Sequence, residues 1–286
     1  MKSRILFFLI LCLTFPFMGY SQSAVFESIS FDSGKLGRKI SYSIYLPSDY
    51  NTSERNYPVL YLLHGYTDDE TSWIQMGQMK TITDRTIADG DAVPMIIVMP
   101  DAWDTWYVNQ QDGKVPYEDM FFEELIPYME KHYRIRSNRE SRAIAGLSMG
   151  GYGSFLYSLH HPDLFCACAP LSAAVFGDEI MEMRKEKSHK ELYERLFGTG
   201  NEHWHKNSVL KILSDLDGNN LPQTRYYIDC GDDDRLLDGN VEAHRIMREK
   251  GIRHELRVRD GGHTWSYWRT ALPEVLKFVS QAFCRS

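Results

Sequence analysis

Gly146-Leu147-Ser148-Met149-Gly150 leaves this chain little choice of local fold. A short apolar strand, Ala143-Ile144-Ala145, runs into it, and small residues then open a helix that lasts until Pro162. A serine on so tight a strand-to-helix turn projects its hydroxyl above a sheet. Glycines two residues either side remove the Cβ atoms that would clash in the bend. The helix start turns free N–H groups toward the same spot, where a developing oxyanion is stabilised. Ser148 is therefore the candidate nucleophile, and an acid and a histidine are expected after it, in that order, at the ends of later strands.

Two continuous apolar runs, Val59 to Leu63 and Pro94 to Met99, predict strands covered on both faces. The first ends in His64-Gly65-Tyr66-Thr67, and by position the Tyr66 backbone is expected to supply an oxyanion N–H, with Met149 supplying the second. His64 is read as structural, since it precedes the acid and lies on the wrong loop. Val25 to Phe31 and Lys39 to Leu46 alternate apolar and polar residues, which predicts exposed antiparallel strands at a sheet edge. Helical spacing predicts helices over Thr71 to Ala88 and Glu118 to Arg134, the second kinked at Pro127. Cys166 to Ala173, Tyr226 to Cys230 and Glu255 to Arg259 read as later strands, with helices over Val241 to Lys250 and Trp268 to Phe283. This alternation gives an α/β class. Phe176 to about Asn220 is charged, helical and longer than an ordinary connection, so 176–220 is expected to form a lid-like excursion.

The acid and the base have clear candidates. Gly231-Asp232-Asp233-Asp234 leaves the carboxyl end of one strand; a side chain needs a couple of residues after the glycine to swing back, which favours Asp234, with Asp233 second. Leu236 stands where a calcium loop of the EF-hand type needs another acid or amide, so that reading is rejected. His263, on a glycine turn after the last strand, is the expected general base, with Asp234 fixing its tautomer. Trp103, Trp106 and Tyr107 follow the strand ending at Pro100, where ligands bind in open α/β sheets, and they either contact substrate or pack over the core. His160-His161 and His203-x-His205 lack a third ligand at a recognisable spacing, so no metal site is expected.

Lys2 and Arg4 precede an apolar run from Ile5 to Phe17, with small residues before Ala24; residues 1–23 are expected to be an export signal, the run being short for a membrane span, with an uncleaved anchor as the alternative. No repeat or linker divides the remainder, so 24–286 is expected to be one domain. A formal net charge of −7 argues against nucleic acid as a partner. Cys166, Cys168, Cys230 and Cys284 remain after processing; buried free thiols are expected for the first three, and a bond to Cys284 stays open.

Taken together, His64-Gly65, Gly-Leu-Ser148-Met-Gly-Gly, Cys-Gly-x-x-Asp234 and Gly-Gly-His263-x-Trp265 resemble the esterase D-like branch of α/β-hydrolases. That branch holds the first carbohydrate-esterase family, with feruloyl and acetyl-xylan esterases, beside tributyrin-type esterases, S-formylglutathione hydrolases and mycolyl transferases. The resemblance spans essentially the whole mature chain. It implies an α/β-hydrolase fold with a mostly parallel eight-stranded sheet and helices on both faces, and a cofactor-free acyl-enzyme mechanism. It also implies the roles given to Ser148, Asp234, His263, Tyr66 and Met149, and a substrate loop containing Trp103, Trp106 and Tyr107; Trp265, beside the base, is expected to bind substrate with them. Export favours a periplasmic or extracellular, carbohydrate-linked ester over a cytosolic thioester. An acyltransferase or a general short-chain esterase uses the same acyl-enzyme, and a non-catalytic binding protein on the same fold is the remaining alternative.

Overall fold

The computed structural model describes residues 22–186, 189–218 and 221–283. The leader reading and Cys284 therefore lie outside the described residues, apart from the leader's last two positions. One sheet of eight strands organises the chain, in the order β1-β2-β4-β3-β5-β6-β7-β8. The strands are β1 (Ala24–Ser33), β2 (Arg38–Leu46), β3 (Val59–Leu63), β4 (Ile96–Pro100), β5 (Arg142–Leu147), β6 (Ala167–Leu171), β7 (Arg225–Gly231) and β8 (His254–Arg259). β1 with β2 and β2 with β4 run antiparallel, and the remaining neighbours run parallel.

Alternation along the central strands divides two cores. Val59, Tyr61 and Leu63 join one apolar cluster while Leu60 and Leu62 join the other, and Ile96 and Val98 separate from Ile97 and Met99 in the same way. A side-chain period of two on a sheet covered on both faces produces this division. The helices that cover it are, in chain order, α1 (Ser72–Gln75), α2 (Met79–Ala88), α3 (Tyr117–Met120), α4 (Ile126–His132), α5 (Met149–His160), α6 (Asp178–Glu186), α7 (Lys190–Phe197), α8 (Glu202–Asn207), α9 (Val209–Asp215), α10 (Leu237–Glu249) and α11 (Trp265–Phe283). Among the described residues, no helix is long and apolar enough to cross a membrane.

Three sequence expectations need correction. β2 is not an exposed edge strand: it lies between β1 and β4, Ile40, Tyr42 and Ile44 enter one core, and Tyr45 enters the other. Its serines are small enough to be covered, and Ser43 is fully buried, its Oγ accepting from the Ser28 N–H. The helix expected over 71–88 breaks after α1, where Gln78 is left-handed (φ 53°) and Gly77 packs against Trp73 and Trp265. The regular helix expected over 118–134 is interrupted by a π turn, Phe121–Leu125, which ends just before Pro127 at the start of α4. The wider turn accommodates the hydrogen bond that proline cannot donate.

The segment after β6 folds as the four short helices α6 to α9, and Tyr193, Leu196, Phe197 and Trp204 anchor it in the larger core. Below it, His160 Nδ1 lies 2.8 Å from Glu118 Oε1 and Nε2 lies 2.9 Å from the Lys206 carbonyl, while His161 Nε2 meets the same carboxylate at 3.1 Å. Both nitrogens of His160 face acceptors, which calls for the imidazolium. Burial opposes that charge, but Glu118 and the carbonyl outweigh it and raise the His160 pKa above its ordinary value. A raised folded-state pKa stabilises fully below the unfolded value of about 6.5, and the gain is lost as pH rises through the folded one. The stability gap between the native protein and His160→Gln is therefore expected to be widest below about pH 6 and to shrink toward pH 9. Denaturant midpoints across that range measure it.

Cys166, Cys168 and Cys230 are free and buried. Burial pushes the Cys168 thiol up to about 12, which leaves no reactive thiolate at neutral pH.

Candidate active site

Ser148 sits between β5 and α5 at φ 54° and ψ −114°, a left-handed position costly for a residue with a Cβ. The bend is held from three sides: Ser148 N–H donates to the Leu171 carbonyl (2.9 Å), and its own carbonyl accepts from Ala174 (3.0 Å) and Tyr152 (2.9 Å). The flanking glycines are required by close approach. A Cβ at Gly146 would lie 2.4 Å from the Gly150 carbonyl oxygen, and one at Gly150 would lie 2.5 Å from the His64 and Leu63 carbonyl oxygens. These are backbone atoms that cannot swing away. Gly150→Ala is expected to cost about 2 kcal/mol or more and to displace the serine; a lowered urea midpoint together with lost ester turnover would show it.

The turns after β7 and β8 bring two more side chains to Ser148. His263 Nε2 lies 2.9 Å from Ser148 Oγ, and His263 Nδ1 lies 2.8 Å from Asp234 Oδ2. Asp233 N–H donates to the Gly261 carbonyl and Gly261 N–H donates to Asp232 Oδ1, so the acid loop and the histidine loop are laced together. Of the two candidate acids, Asp234 meets the histidine. Asp233 is exposed, with its carboxylate near those of Asp232 and Asp260.

Asp234 is held at both oxygens. Leu236 N–H donates to Oδ1 at 2.9 Å. Burial would raise its pKa, but hydrogen bonds from His263, the Leu236 N–H and Ser172 outweigh it and keep the carboxyl below the ordinary carboxylate range. Ser172, fully buried and left-handed at φ 43°, also accepts from Trp268 Nε1 at 3.0 Å, and Trp268 stands edge-on to the His263 ring. Sequence reasoning passed over Ser172 because a serine ending a buried strand carries no motif. Ser172→Ala strands the Trp268 N–H and removes one support of Asp234, so it is expected to cost about 1–3 kcal/mol of stability, measured by urea unfolding.

Tyr66 and Met149 line the same cavity as Ser148. Met149 opens α5, where a backbone N–H has no intrahelical acceptor. His64 is buried: its Nε2 accepts from the Ala102 N–H at 2.8 Å, which leaves Nδ1 to donate to the Gly65 carbonyl at 2.8 Å. It ties the Tyr66 turn to the loop after β4.

The aromatic loop divides. Trp106, left-handed at φ 54°, lines the cavity beside Ser148. Trp103 and Tyr107, expected at the substrate, are elsewhere: Trp103 lies under the Arg38 guanidinium (4.0 Å) against Tyr117. Tyr107 is fully buried on Gly153, its hydroxyl donating to the His64 carbonyl at 2.9 Å. Large rings beside a helix glycine fill the space that glycine leaves, and that packing absorbs Tyr107. Trp265 packs edge-on against Trp73 and Trp268 and is not part of the cavity wall. The cavity, of ≈ 240 Å³, is closed instead by Phe176, Leu192 and Tyr193 from the segment after β6, with Leu236 from the acid loop. Their apolar character predicts burial but not which buried residue faces a ligand.

The Esterase family model matches residues 33–279. The chain belongs to the esterase family. An endo-1,4-beta-xylanase/feruloyl esterase of Xylanibacter ruminicola is 33% identical over 58% of this chain, which spans 24% of that relative's length. An acetyl esterase of Caldicellulosiruptor saccharolyticus is 24% identical, over 88% of this chain and 97% of its own. The solved structure of a ferulic acid esterase is 37% identical, superposes with a TM-score of 0.80, and is matched over 92% of this chain and 99% of that one. The matched region is a carboxylic ester hydrolase on an α/β-hydrolase fold.

Proposed function

We propose that this esterase is an exported serine hydrolase, folded as one domain over 24–286 with 176–220 as a lid, which cleaves feruloyl or acetyl esters of plant polysaccharides through an acyl-enzyme. The observation that carries the reading is the hydrogen-bonded line from Ser148 Oγ through His263 to Asp234, which meets the wall of an aromatic cavity. In this reading Ser148 Oγ attacks the ester carbonyl while His263 Nε2 takes its proton. The Tyr66 and Met149 N–H groups hold the oxyanion. Collapse of the tetrahedral intermediate expels the alcohol, to which His263 returns the proton. Water then enters, gives its proton to His263 and releases the acid by the same route. Asp234 keeps the proton on Nδ1 and stabilises the imidazolium throughout.

The names of the feruloyl, acetyl and ferulic acid esterases similar to this chain support the substrate class. The basic and apolar leader supports export. Initial rates on methyl ferulate, acetylated xylan and an aryl acetate test the reading. Release of ferulate, or of acetate from xylan, is expected; turnover of the aryl acetate alone would remove the polysaccharide assignment.

A further inference from the structure

The cavity over Ser148 carries positive charge that its wall does not balance. Arg184 lines it half-buried, with its guanidinium 4.1 Å from the Phe176 ring centre and its Nη1 donating to the Tyr193 hydroxyl at 2.9 Å. Two exposed cationic or titratable side chains, Arg235 and His189, stand at the same wall. No aspartate or glutamate is among its described lining residues, although the chain carries a formal net charge of −7. A half-buried guanidinium in an aromatic wall, with no counter-charge among the described lining residues, favours an anionic occupant.

We infer that the part of the ester filling this cavity carries a carboxylate, which pairs with the Arg184 guanidinium and neutralises it. The inference rests on Ser148 being the nucleophile of that cavity. A neutral oxygen leaves the Arg184 charge uncompensated, whereas a carboxylate balances it. Tyr66, Phe176 and Tyr193 exclude water around the pair and strengthen the contact. On a feruloyl or acetyl ester the carboxylate sits on the alcohol, as in a uronate sugar; a carboxylate on the acyl chain would replace that acyl assignment, and the recognition chemistry is the same.

Two substrate pairs test this. 4-Nitrophenyl hydrogen adipate against its methyl ester varies the charge on the acyl side, and 4-acetoxybenzoate against its methyl ester varies it on the alcohol side, all corrected for enzyme-free hydrolysis. In one pair the native enzyme is expected to prefer the anion by about tenfold or more in kcat/KM. Arg184→Gln is expected to reduce that preference to about twofold or less, and Arg184→Lys to restore part of it. If neither anion is preferred while 4-nitrophenyl acetate hydrolysis remains Ser148-dependent, the carboxylate inference is overturned and the nucleophile stands. If Ser148→Ala still hydrolyses 4-nitrophenyl acetate, the nucleophile assignment fails, and the inference with it.

Discussion

Ser148→Ala is expected to lower ester turnover by roughly 10⁶-fold, to the level left by binding and the oxyanion donors alone. The substitution removes one hydroxyl, 8% of the residue being exposed, and leaves the turn's three backbone hydrogen bonds in place. Alanine keeps a Cβ at φ 54°, so the local strain remains and the unfolding midpoint should barely move. Ser148→Gly should be equally inactive but more stable than the alanine variant by about 1 kcal/mol, because glycine adopts that backbone without a steric penalty. Steady-state assays paired with urea melts separate the two effects. A serine placed at a strained position, where its removal improves stability, is the pattern of a group kept for chemistry.

The second large effect distinguishes two adjacent carboxylates. Asp234→Asn is expected to reduce kcat by about 10⁴-fold, since an amide opposite His263 Nδ1 offers its NH₂ and favours the wrong tautomer. Asp233→Asn is expected to stay within about threefold of the native rate, because that side chain is exposed and the loop contact it supplies comes from its backbone N–H. Asp234 also bears on stability. Its folded pKa is lowered, so its contribution is complete above the unfolded value of about 3.9 and is lost as pH falls through the folded one. Loss of kcat on Asp233→Asn with Asp234→Asn intact would exchange their roles.

Much of the frame was legible because it is written in local rules. The apolar runs of β3 and β4, the glycines around Ser148 and the glycine turns before Asp234 and His263 each have one good structural solution. The positions of β2, Trp103 and Tyr107 were not legible, because long-range partners decide them. Ser43 in β2 looks solvent-facing until the neighbouring strand β1 pairs over it, and Tyr107 looks like a ligand residue until Gly153 opens a slot for its ring. The cavity wall from Phe176 to Tyr193 comes from a segment whose pattern gives helices but not their docking direction. Ser172 escaped for a related reason: its contacts with Trp268 and Asp234 join segments that are far apart in sequence.

Intact-mass analysis of the protein after exposure to a serine-reactive fluorophosphonate tests the proposed mechanism most directly. A single adduct mapping to the peptide that carries Ser148, absent from Ser148→Ala and slowed by orders of magnitude in His263→Ala, is the expected result. An adduct on another residue, or undiminished labelling of Ser148→Ala, would contradict it.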